Sequence, residues 1–141
     1  MRNDIQAFLA EAGEAGCYAI CLINVAEEFL GKEIDVSEGL LLGVDTGSIY
    51  YNAADKEDSN NFFVDSPEKF LESMTNTKWS VVKRPADYVA LPNEFVINRW
   101  ERSKTGAVIG HFDRDNFHPL KHSVTVERGS IVSKRVCKEI V

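Results

Sequence analysis

The chain has 141 residues, 44% of them hydrophobic and 27% charged, with a net charge of −6. That length and balance suit one globular domain with a sizeable core, residues 1–141. The acidic balance excludes a general nucleic-acid binder, which needs a basic stripe; Lys134, Arg135 and Lys138 are the one small basic cluster. No apolar run reaches the ~18 residues of a membrane span. Met1 to Gln6 lack the basic start and apolar stretch of a secretory signal, so a cytoplasmic location is expected. Three cysteines, Cys17, Cys21 and Cys137, are an odd number in that setting and are expected to stay free thiols.

In chain order, residues 3–12 are predicted as a short helix, with Ile5, Phe8, Leu9 and Ala12 on one face. Gly13 and Gly16 are expected to interrupt it. A second helix, 17–30, is apolar on almost every side apart from a strip at Asn24, Glu27 and Glu28, the pattern of a buried helix. Gly31 supplies its stop. Asp35-Val36-Ser37-Glu38 has capping-box spacing and opens a third helix through Val44, weakened by Gly39 and Gly43 at about 1 kcal/mol each. Residues 52–61 are polar and unperiodic and read as a surface loop. Ser66-Pro67-Glu68 starts a helix that reaches about Met74.

The pattern then changes. Strands are predicted at 79–83, 94–100, 107–112 and, shorter, 117–120. Residues 123–127 alternate, and Arg128-Gly129 turns them into 130–136, a hairpin signal. Helices thus occupy 1–76 and strands 77–141. That segregation predicts an α+β fold, N-terminal helices packed on a C-terminal antiparallel sheet.

All three histidines, His111, His118 and His122, fall within twelve residues. If the chain turns over Asp113 to Asn116, His111 pairs with His118 and both imidazoles share one sheet face. Cys17 follows Gly16 at the expected helix start, where unpartnered N–H groups and the helix dipole stabilise a thiolate. A buried packing role is the other reading of that cysteine. A helix cysteine and a strand histidine are the parts of a thiolate–imidazolium pair. The histidine takes the thiol proton and later gives one to the leaving group. A third polar residue fixes the imidazole tautomer. His118 is one choice for it; Asp113, Asp115 and Asn116 are others. Trp100 borders a charged loop near His111 and could line a cleft, although a core or rim role is commoner for tryptophan. Cys17 and Cys21 with two histidines would make a Cys2His2 set. Zinc sites draw such pairs from turns rather than from an apolar helix, so no metal or cofactor is expected.

Gly16-Cys17-Tyr18, Gly110-His111-Phe112 and His118-Pro119-Leu120 together resemble the papain-like cysteine peptidases. The likeness is greatest to the double-glycine bacteriocin-leader peptidases and their uncharacterised bacterial and phage relatives. Segments 123–126 and 133–135 resemble the phage and prophage relatives too. The resemblance implies a papain-like fold, with Cys17 as nucleophile and His111 as base. It further implies attack on an amide or thioester carbonyl of a peptide or protein through an acyl intermediate. Two positions depart from the pattern. The family's third residue is Asp where this chain has His118. Its oxyanion-hole glutamine lies about half a dozen residues before the cysteine, where an acid such as Glu11 would repel a developing oxyanion. Gln6 could serve only if the chain folds back between Gly13 and Gly16. The alternative class is a noncatalytic, phage-type binding or structural protein on the same fold.

Overall fold

The computed structural model describes residues 3–51, 62–104, 107–119 and 124–141. Its first element, α1 (Asn3–Leu30), is one continuous helix. The interruption expected at Gly13 and Gly16 does not occur. A helical glycine costs only about 1 kcal/mol against alanine, and Ala10, Ala12 and Ala15, the best helix formers, flank the two positions. Cys17 therefore lies well inside a helix and not at its start. Ala19, Cys21, Leu22, Ile23, Val25 and Ala26 of the same helix are all buried. Gly31 ends it with φ +68°, and its N–H donates to the Glu27 carbonyl at 2.8 Å.

The cap signals hold. Asp35 accepts from the Glu38 N–H at 3.0 Å and opens α2 (Val36–Asp45). Ser66 accepts from the Lys69 N–H at 3.2 Å and opens α3 (Pro67–Thr75). Gly43, which propensity marks as a weak point, is where α2 approaches its neighbours. A Cβ there would lie 2.5 Å from Ile49 Cδ1 and 2.9 Å from Phe70 Cε1. Between α2 and α3 runs a small antiparallel pair, β1 (Ile49–Tyr51) with β2 (Phe62–Val64). Strands of three residues carry too little periodicity to be predicted. The expected loop at 52–61 lies outside the described residues.

The main sheet has four antiparallel strands: β3 (Trp79–Pro85), β4 (Glu94–Lys104), β5 (Ala107–Asp113) and β6 (Ser130–Glu139). Their order is β3-β6-β4-β5, so β5 is an outer strand. Opposed residues share a face. Phe95 and Val81 both oppose Cys137, and Phe112 opposes Arg99. Trp79, Ile97, Phe112 and Cys137 join the core built by α1. Phe29 of α1 meets Trp79 edge-on, with ring centroids 4.9 Å apart.

Two strand expectations change. Residues 124–128 form a short helix, α4 (Val124–Arg128), in place of the first strand of a hairpin. The Gly129 N–H bonds back to the Thr125 carbonyl at 2.8 Å, and a Cβ on Gly129 would run into the Glu101 carbonyl. That close contact with β4 overrides the β-branched propensity of Val124, Thr125 and Val126. At 117–119 only an isolated bridge, Arg114 with Phe117, is formed, and Pro119 has no N–H to extend it. The fold is α+β, as the order of elements implied.

Candidate active site

The stripe Cys17, Cys21, Asn24 and Glu28 runs up one side of α1 at helical spacing. It faces β5 and the turn that follows. Arg114, almost fully buried, donates from Nη1 to Asn24 Oδ1 at 3.0 Å and to Glu28 Oε2 at 2.6 Å. Its Nε donates to the Val96 carbonyl at 3.0 Å. The sequence reading placed Arg114 within the turn from Asp113 to Asn116 and gave it no partner. The polar strip on an otherwise apolar helix was the signal, because buried polar groups need partners.

One residue along from the stripe, the Tyr18 ring stacks on Phe112 of β5 with centroids 4.6 Å apart. The Cys17–Tyr18 step of the helix is thereby docked level with the His111–Phe112 step of the strand. Both Cys17 and His111 are 4% exposed. Alternation turns His111 to the opposite side of β5 from Phe112, the side it shares with Trp100.

Asp113 lies two residues beyond His111 on the same side, opposite Asn98, while Trp100 opposes His111. The Asp113 carboxylate is 1% exposed. Its Oδ1 accepts from Trp100 Nε1 at 2.9 Å and from Asn98 Nδ2 at 3.4 Å. Its Oδ2 lies 3.0 Å from His118 Nδ1. The expected pairing of His111 with His118 is corrected here: Arg114 bridges to Phe117, which sets Asp113, not His111, beside His118. Ladder bonds to β4 hold β5 in register through Asp113, and the turn tightens to Asp115 and Asn116 between Arg114 and Phe117. Trp100 holds the carboxylate through its indole N–H.

Gln6 is not brought in. It precedes Cys17 by eleven residues on one helix, about 16 Å along the axis at ~1.5 Å per residue. An oxyanion role for it is therefore ruled out by the continuous helix. Position 17 also lacks the free N–H groups and dipole end of a helix start. Burial, then the charges of Cys17 and Asp113, push the Cys21 pKa well up. Burial pushes Cys137 up to about 12 from an ordinary 9.0. Among the described residues no group of three or more His, Cys, Asp or Glu is placed to hold a metal. Among the described residues no helix is long and apolar enough to cross a membrane. No protein family, curated protein or solved structure matches the chain.

Proposed function

We propose that the chain is a thiol hydrolase of papain-like type, acting on an amide or thioester carbonyl of a peptide or protein. The stacking of Tyr18 on Phe112 carries this reading, because it docks the Cys17 step of α1 against the His111 step of β5. In the proposed mechanism His111 takes the thiol proton, and the thiolate attacks the carbonyl carbon. The imidazolium returns the proton to the leaving amine or thiol, and water then releases the acyl group. Incubation with a peptide carrying an electrophilic vinyl sulfone tests the reading. A single adduct at Cys17, lost in His111→Ala, is the expected result; an unmodified chain, or adducts spread over all three cysteines, overturns it.

A noncatalytic binding or structural role is the second reading. The position of Cys17 inside α1, 4% exposed and without a helix terminus behind it, favours that role. A packing cysteine needs neither an imidazole nor access to solvent.

A further inference from the structure

We propose that His118 and Asp113 form a second acid–base site, open to solvent and independent of Cys17, at which His118 is the general base for hydrolysis of small acyl esters. The carboxylate is the unusual member. A clasp between surface groups would leave the acid at the surface, whereas Asp113 is 1% exposed and is held from behind by Trp100 and Asn98 of β4. Among the described residues its outward contact is His118, whose side chain is 54% exposed. An ionised carboxylate only accepts hydrogen bonds, so the Nδ1 facing it carries the proton. The neutral imidazole then has its lone pair on Nε2, on the side of the ring away from Asp113. Asn98 also donates to Asp115 Oδ1 at 2.8 Å, which ties down the turn between the two partners. A base whose tautomer is fixed by a buried carboxylate, on a rigid strand pair, is organised for proton transfer.

The step balances with water as nucleophile. Nε2 takes a proton as the water oxygen bonds to the acyl carbon. The acyl C–O bond breaks, the alcohol oxygen leaves with the electron pair, and the imidazolium proton passes to it or to solvent. Asp113 is a positioning residue in this scheme and touches no substrate.

The test uses the full chain carrying Cys17→Ala, so that no thiol chemistry at that position contributes. Hydrolysis of p-nitrophenyl acetate at pH 7 is expected to exceed the buffer rate and to fall at least ~10-fold on adding His118→Gln, an exposed change that leaves the fold intact. Equal rates with and without His118→Gln, or no rate above buffer in Cys17→Ala alone, overturn the proposal. Carbethoxylation by diethyl pyrocarbonate, read residue by residue, gives the second measurement. Modification of His118 is expected to slow several-fold in Asp113→Asn; an unchanged rate sinks the positioning role. Neither readout involves Cys17, so the thiol reading stands or falls separately.

Discussion

Replacing Phe70 by alanine is expected to lower the unfolding free energy by about 3–5 kcal/mol. Phe70 is the largest fully buried side chain of the core. It sits at the junction of three elements: its ring edge fills the space that Gly43 of α2 leaves open, beside Ile49 of β1. The helix that carries it packs on both α1 and α2. At Gly43 α2 already lies as close to Phe70 and Ile49 as a glycine permits, which limits collapse into the hole. The cavity term therefore adds to the lost transfer energy. Urea unfolding measures the loss. A change under ~1 kcal/mol would mean that the site collapses freely and that the packing described for α2, β1 and α3 is wrong.

Alkaline pH gives the second large effect. Burial raises the pKa values of Cys21, Cys137 and Tyr18 in the folded chain. An acid whose folded pKa is raised keeps its proton in the native state after the unfolded chain has lost it. Its stabilising contribution is intact below the unfolded value and is lost as pH rises above it. For Cys137 the window runs from an ordinary 9.0 to about 12. Each buried thiol then removes about 1.4 kcal/mol of stability per pH unit. Between about pH 9 and 11 Cys137 alone accounts for a loss of about 2 kcal/mol, and Cys21 adds to it in the same direction. The urea midpoint is expected to fall steeply over that range, and to fall much less in the Cys21→Ala, Cys137→Ala double variant. Parallel slopes in the two proteins would contradict the burial of these thiols.

What the sequence made legible was local. Asp35 and Ser66 cap their helices because the signal and its partner lie three residues apart. The burial of residues 17–30 followed from an apolar surface with one polar strip. What it hid depended on distant partners. Gly13 and Gly16 read as a break, yet propensity alone could not decide whether the turns on either side would carry them through. The turn after His111 was placed from Asp113 to Asn116. The ladder between β4 and β5 instead draws Asp113 in opposite Asn98 and shifts the turn toward Phe117. For the candidate site this matters twice. The shift takes His118 away from His111 and gives it Asp113, while the unbroken helix removes Gln6 and the helix-start stabilisation of Cys17. The Cys17 and His111 steps are brought level by Tyr18 and Phe112, which entered the sequence reading only as the neighbours of that cysteine and histidine.

The most direct test of the thiol reading is the rate of iodoacetamide labelling at each cysteine between pH 5 and 9, read by mass spectrometry in the wild type and in His111→Ala. Cys17 is expected to label at pH 6 while Cys21 and Cys137 stay protected, and His111→Ala is expected to abolish that low-pH reactivity. Labelling of Cys17 as slow as that of the other two cysteines, or unaffected by loss of His111, would contradict a thiolate–imidazolium pair and leave Cys17 a packing residue.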